Sequence, residues 1–255
     1  MGLLDGKKIV ITGVLTDASL AYGVARIALD EGADIVLTGA GRALSLTQRT
    51  ARKLGDDIDV FEFDVTVPEH GPLVRDALAS KWGHVDGVLH AIGFAPASCL
   101  GDAFLDAPWE DVAVAMQIST YSLKTLVDAF LPLMGSGGSF VGLDFDNQQA
   151  WPAYNWMGVA KSALQSVSRY LAKELGPQGI RSNLVAAGPI KTMAAKSIPG
   201  FALFEDIWDE RAPLGWDVTD SEPVAKACVA LLSDWFPATT GEIIHVDGGF
   251  HATGV

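Results

Sequence analysis

The sequence predicts a doubly wound α/β fold around a parallel sheet. Short β-branched runs alternate with longer stretches of helical periodicity, and the runs are apolar throughout, as strands covered on both faces must be. At 255 residues, 49% hydrophobic and 19% charged, the chain supplies a core large enough for one domain of this class. Lys8–Thr12 (KIVIT) reads as the first strand and leads into a helix over Leu20–Glu31. Asp34–Thr38 and Asp59–Asp64 follow as strands, each with its helix, Ala43–Leu54 and Pro68–Lys81. The fourth strand is Val85–His90 with a long helix over Trp109–Met134, and the fifth is Ser139–Phe145 with a helix over Ala153–Glu174. Arg181–Ala186, the helix Glu222–Ser233 and Glu242–Val246 complete seven strands, wound by right-handed crossovers. Neither a linker nor a repeat interrupts this order, so a single domain over 1–255 is expected.

One connection is unusually long. Some thirty residues separate the sixth strand from the helix at Glu222, several times an ordinary loop. The stretch carries Met193, Ile198, Phe201, Leu203, Phe204, Ile207 and Trp208, which is too apolar for a solvated linker. Its periodicity suits a short amphipathic helix, either packed on a neighbouring subunit or closed as a lid over an apolar substrate, over about 193–215.

Eighteen basic against 31 acidic residues give a net charge of −13, which argues against nucleic acid or an anionic membrane surface as partner. Cys99 and Cys228 stand outside any CxxC pair, so a reducing cytoplasm is the expected setting, and the short apolar run after Lys8 does not read as a signal peptide. The five histidines have no metal-ligand spacing, and Asp144 and Asp146 do not read as a paired-carboxylate site, so no metal is expected. Neither a GxSxG elbow nor a GxxxxGK[ST] loop is present, which removes the usual anchors of hydrolases and phosphotransferases.

What remains is dinucleotide chemistry. The first strand runs into Thr12-Gly13-Val14-Leu15-Thr16-Asp17-Ala18-Ser19-Leu20-Ala21-Tyr22-Gly23, and then a helix. Glycine there lets the backbone approach a pyrophosphate that the helix N-terminus attracts, and Ser19 can either cap the helix or donate to phosphate. The GxGxxG spacing is replaced by a rarer one; a turn without ligand is the alternative. Gly39-Ala40-Gly41 reads as a turn at the adenine end. Asp64-Val65 and Ala91-Ile92-Gly93 follow the third and fourth strands, where doubly wound sheets bind ligands. Asp64 either accepts the adenine amino group or caps the helix from Pro68. Tyr154 and Lys161, seven residues and about two helical turns apart, should leave one helix face as an acid and a cofactor clamp.

With these residues in hand, the chain resembles the NADH-dependent enoyl-(acyl-carrier-protein) reductases of bacterial fatty-acid synthesis, within the short-chain dehydrogenase/reductase superfamily, and is most similar to the mycobacterial and actinobacterial branch. Beyond the Gly13 loop, the resemblance rests on His90-Ala91-Ile92-Gly93-Phe94, Pro152-Ala153-Tyr154-Asn155-Trp156-Met157 with Lys161-Ser162-Ala163, Arg181 through Thr192, Thr239-Thr240-Gly241 and Val246-Asp247-Gly248-Gly249. It implies NADH (NAD+) as cofactor and enoyl thioesters of acyl carrier protein or coenzyme A as substrates. It further implies a homotetramer. Tyr154 would donate to the thioester carbonyl, Lys161 would hold the nicotinamide ribose, and Phe145 would sit by the nicotinamide. Gly13, Val14, Ser19 and Leu20 would meet the pyrophosphate, Asp64 and Val65 the adenine, and Ala91, Ile92 and Gly93 the central cofactor. Ile190 would contact the carboxamide and Thr192 the phosphates, while Phe94, Met157, Met193 and Ala195 would line the substrate. Relatives often carry serine at Ala91, and Met193–Trp208 is shorter than in the mycobacterial enzymes that take very long chains, so that specificity is not carried over. Lys191 and Lys196, with Arg211, are the candidates for docking an acidic carrier protein. An ordinary short-chain ketoreductase would want lysine four residues after the tyrosine and serine thirteen before it, where this chain has Gly158 and Val141. A non-catalytic dinucleotide sensor would have no reason to keep Tyr154, Lys161 and an apolar lid together.

Overall fold

The computed structural model describes residues 2–253, apart from the side chain of Ser197; the expected domain span 1–255 reaches beyond them at both ends. Seven parallel strands form one sheet in the order β3-β2-β1-β4-β5-β6-β7. The strands are β1 (Lys8–Thr12), β2 (Asp34–Gly39), β3 (Val60–Glu62), β4 (Gly87–His90), β5 (Ser139–Asp144), β6 (Arg181–Ala187) and β7 (Ile243–Val246). The helices are α1 (Leu20–Asp30), α2 (Leu44–Ala51), α3 (His70–Lys81), α4 (Trp109–Met116), α5 (Ser122–Phe130), α6 (Asn155–Leu175), α7 (Phe201–Arg211) and α8 (Glu222–Leu232).

Alternate residues of the apolar strands serve opposite faces. Ile9, Ile11, Leu37, Leu89 and Val141 pack under α1, α2 and α8, whereas Val10, Val36, Val88 and Phe140 pack under α3 and α5. Both faces are dry, so the strands read as unbroken apolar runs. Among the described residues no helix is long and apolar enough to cross a membrane, and both cysteines are free and buried.

The boundaries differ from expectation where local geometry intervenes. The third strand pairs over only three residues, Val60–Glu62. Its following helix starts at His70, so Asp64 is not its cap. The helix expected over Trp109–Met134 is broken by a π-turn at Gln117–Tyr121 and ends in a 3₁₀ turn at Leu131–Leu133 that contains Pro132. The π-turn carries Ser119, whose hydroxyl accepts from the Phe94 amide at 2.9 Å and donates to the Phe94 carbonyl at 2.8 Å. The irregular turn thus fixes the backbone leaving β4. The long excursion after β6 folds as a 3₁₀ turn, Ala195–Ser197, and α7.

Candidate active site

The chain leaves β1 toward β2 and leaves β4 toward β5, so the carboxyl ends of the adjacent pair β1 and β4 open a crevice. Thr12 joins the two ends: its hydroxyl donates to the Leu89 carbonyl at 2.9 Å and accepts from the Ala91 amide at 2.8 Å. Gly13 follows at φ +80°, and a Cβ there would stand 2.1 Å from the Ala91 carbonyl oxygen, so only glycine fits. Ser19 does not cap α1. Its Oγ accepts from the amides of Leu15 and Thr16 at 3.2 and 3.0 Å, which closes the loop and leaves its hydroxyl proton uncommitted. The buried Thr16 hydroxyl has no partner. Across the crevice, no atom lies closer than 3.9 Å to the place a Gly93 Cβ would take.

Tyr154 lies at the N-cap of α6, one residue ahead of the helix and not within it as expected. It is held between two residues at positive φ, Ala153 (59°) and Asn155 (50°). Backbone strain of this kind persists only when the surroundings impose it. Here the Ala153 carbonyl accepts from the Gly101 amide at 2.9 Å, and the Asn155 side-chain amide donates to the Gly101 carbonyl at 3.0 Å. The side chain of Tyr154 is buried, and its ring centroid is 5.0 Å from that of Phe145.

Lys161, inside α6, is buried and spends one ammonium donor on the Leu143 carbonyl at 2.8 Å. Asp144, the last residue of β5, acts on both by its charge. Its carboxylate accepts from Gln165 Nε2 at 2.8 Å, and its other oxygen is buried without a partner. Burial pushes the Tyr154 phenol far above its ordinary range, and the Asp144 charge pushes it the same way. Burial lowers Lys161 while the Asp144 charge opposes the fall. Burial likewise raises Asp144 against the pull of Lys161. The phenol therefore stays a protonated donor. Asp144 and Asp146 do not form a carboxylate pair, as the sequence reading expected: β5 ends at Asp144 and Asp146 lies 3.6 Å from His245; the reading gave Asp144 no further role. The signal available was the charge of Lys161: a buried ammonium needs a counter-charge.

The remaining expected residues are distributed unevenly. Ala91, Ile92 and Gly93 line the crevice beside the Gly13 loop. Asp64 takes the amide and hydroxyl of Thr66 on one oxygen, at 2.9 and 2.7 Å, so it forms a local turn at the end of β3. Ile190 is buried, and Thr192 Oγ1 accepts from the Ala195 amide at 3.1 Å, which starts the turn before α7. Phe94 and Met193 are half exposed, whereas Ala195 is buried. Lys191 pairs with Glu205 at 2.8 Å, so it balances local charge; Lys196 stays exposed, and the Arg211 guanidinium stacks on Phe250. The face of α7 turned to the protein carries Phe204 and Trp208, with Phe201 and Ile207 partly buried beside them, whereas Leu203 on α7 and Met193 before it are half exposed.

A crevice at a strand-order reversal, a glycine that no other residue can replace, spare hydroxyls on Thr16 and Ser19, and a buried lysine with donors to spare fit a dinucleotide. These features define a dinucleotide-binding oxidoreductase of the short-chain dehydrogenase/reductase class. The model of the family described as "Enoyl-(Acyl carrier protein) reductase" matches residues 13–251. The chain is 50% identical over 262 residues to the enoyl-(acyl-carrier-protein) reductase (NADH) of Mycolicibacterium smegmatis, with 97% of each chain covered. It is 48% identical to that of Mycobacterium avium, again with 97% of each covered. With that of Aquifex aeolicus identity is 41%, over all of this chain and 95% of the relative. The chain belongs to the enoyl-(acyl carrier protein) reductase family.

Proposed function

We propose that this protein reduces trans-2-enoyl thioesters to saturated acyl thioesters, with NADH as the reductant and Tyr154 as the oxyanion donor. NADH, when bound, would supply the hydride for C3 of the enoyl group and leave as NAD+, with a solvent proton at C2 completing the saturated thioester. Negative charge then gathers on the thioester carbonyl oxygen as an enolate, where a fixed donor is most effective in a site shut off from water. Tyr154 is such a donor: a buried phenol, kept protonated, braced by Phe145 and by a strained but pinned backbone. Lys161 has ammonium donors left for the ribose hydroxyls, and the Asp144 charge opposes the fall that burial imposes on its pKa. Gly13, Val14, Ser19 and Leu20 take the pyrophosphate, Ala91, Ile92 and Gly93 the middle of the cofactor, Asp64 and Val65 the adenine, Ile190 the carboxamide and Thr192 the phosphates. Phe94, Met157, Met193 and Ala195 border the acyl substrate.

The observation that supports this reading is that Tyr154 and Lys161 are both buried, Tyr154 against Phe145 and Lys161 with its ammonium on the Leu143 carbonyl at the end of β5. Purified protein mixed with NADH and a crotonyl or octenoyl thioester should consume NADH, faster than it consumes NADPH; no consumption overturns the reading. We place the enzyme in the cytoplasm, consistent with its two free cysteines, and take acyl carrier protein or coenzyme A as thioester carrier. We also take a homotetramer as the assembly, as the family resemblance implies; the exposed Trp109, Tyr121 and Tyr170 are surface that such contacts would cover. Light scattering on the purified protein decides the number of copies.

A further inference from the structure

Two neighbouring strands end side by side at the crevice. Thr12 of β1 pairs in register with Thr38 of β2, so Gly39 and the turn beyond it leave the sheet beside the Gly13 loop. The two connections are tied together. Thr50 Oγ1 on α2 donates to the Leu15 carbonyl at 2.9 Å, and Lys53, just past α2, pairs with Asp17. A dinucleotide with its pyrophosphate on the Gly13 loop therefore brings its adenosine ribose to the end of β2.

In doubly wound folds an acid at that place accepts from the ribose 2′-hydroxyl, whereas an arginine nearby accommodates a 2′-phosphate. Here the acid is missing. The carboxylate of β2 is Asp34, at the opposite end of the strand, where it pairs with Lys8. The last residue of β2 is Gly39. A Cβ on it would stand 2.9 Å from Thr47 Oγ1 and 3.1 Å from the Leu44 Cα, so an acidic side chain finds no room. The residues that follow, Ala40-Gly41-Arg42-Ala43-Leu44-Ser45-Leu46, include no carboxylate. Asp17 is taken by Lys53, and Glu62, the register partner of Gly39, is exposed on β3, one strand further out.

What the turn presents instead is Arg42. It sits in a 3₁₀ turn, Gly41–Ala43, closed by the Ala43 amide on the Ala40 carbonyl at 3.0 Å. The residue is exposed, and its guanidinium pairs with no carboxylate among the described residues. A Cβ on Gly41 would meet nothing within 4 Å, so the turn beside Arg42 faces open space. On a chain of net charge −13, a guanidinium without a carboxylate partner is a fork left free for a phosphate.

We propose that Arg42 makes the end of β2 a site for a ribose 2′-phosphate, so that the enzyme takes NADPH as a second reductant beside NADH. The inference rests on the dinucleotide reading of the crevice and extends it to the choice of cofactor.

The test titrates NADH and NADPH, which differ only in that phosphate, by fluorescence in the absence of thioester. NADPH should bind within about tenfold of NADH. Arg42→Ala, an exposed substitution, should weaken NADPH by about tenfold, the size of one charge-assisted hydrogen bond, and leave NADH close to wild type. Arg42→Lys keeps the charge without the fork and should fall between the two. Added salt should weaken NADPH more than NADH in the wild type, and that difference should shrink in Arg42→Ala. With crotonyl coenzyme A, kcat/KM for NADPH should also lie within about tenfold of that for NADH. Failure of NADPH to bind where NADH saturates overturns the proposal, as does an Arg42→Ala variant that weakens both cofactors alike or neither. Binding of both cofactors without oxidation of either by any thioester overturns the reductase reading alone and leaves the 2′-phosphate site standing.

Discussion

His90 should make this protein acid-labile in a window set by its own burial. The residue ends β4 with 0% exposure, directly before the crevice segment Ala91-Ile92-Gly93. Ser122 Oγ donates to the Ile118 carbonyl at 2.6 Å, so it must accept from His90 Nε2–H at 2.7 Å. The neutral Nε2–H tautomer follows, and Nδ1 is buried with no partner to receive a second proton's hydrogen bond. Burial, and then the positive charge of Lys161, lower the imidazole from 6.5 to about 3. A folded value below the unfolded one means the stabilisation is complete above pH 6.5 and is lost as pH falls from 6.5 toward 3. Each unit in that window is equivalent to about 1.4 kcal/mol, so pH 5 should cost about 2 kcal/mol, or about 4–8 °C in Tm for a chain of this size. His90→Gln retains an N–H for Ser122 but cannot titrate. It should be less stable than wild type at pH 7.5, and its disadvantage should shrink by about 2 kcal/mol on going to pH 5. Urea unfolding or thermal melts of both proteins from pH 7.5 to 4.5 make the comparison, with the other titrating groups cancelling. Parallel stability curves would refute the buried neutral imidazole.

Tyr154→Phe should lower kcat by about 10²–10³ while NADH affinity, read by fluorescence titration, stays close to wild type, since the hydroxyl acts only on the developing enolate. Lys161→Ala should instead weaken NADH binding, and an unchanged titration would remove its role as cofactor clamp. Asp144→Asn keeps the shape but removes the charge that holds up the Lys161 pKa; NADH affinity should then fall off at lower pH on the alkaline side than in wild type. An unshifted profile would detach Asp144 from Lys161. Lys196→Glu should raise KM for carrier-protein thioesters and leave coenzyme A thioesters unaffected, and equal effects on both would end the docking role.

Period and punctuation made most of the fold legible. Apolar runs with no alternation could only be strands covered twice, and the β1, β5 and β6 segments fall within a residue of their expected ends. The helix 109–134 was misjudged because a π-turn leaves the hydrophobic period nearly intact; what breaks it is a bond to Phe94, twenty-five residues away. Gly13 was readable because its φ is a property of its own backbone. Asp64 and Ser19 were each readable as cap or ligand from their type alone; the structure removes the cap, since one Asp64 oxygen accepts from Thr66 and Ser19 Oγ accepts from Leu15 and Thr16.

The sequence by itself determined the parallel sheet, the crevice loop at Gly13, and the pairing of a phenol with an ammonium at Tyr154 and Lys161. These depend on local periods, on the freedom of one glycine, and on residue chemistry. Only the tertiary structure decided that the Asp144 charge acts on both, that Tyr154 is gripped by strained backbone ahead of its helix, and that Trp151, Trp208 and Phe250 pack into one aromatic cluster. Such contacts join residues up to about a hundred positions apart, and burial in their midst sets the charge state of Tyr154, Lys161 and His90. No pattern along the chain encodes the desolvation that only packing creates.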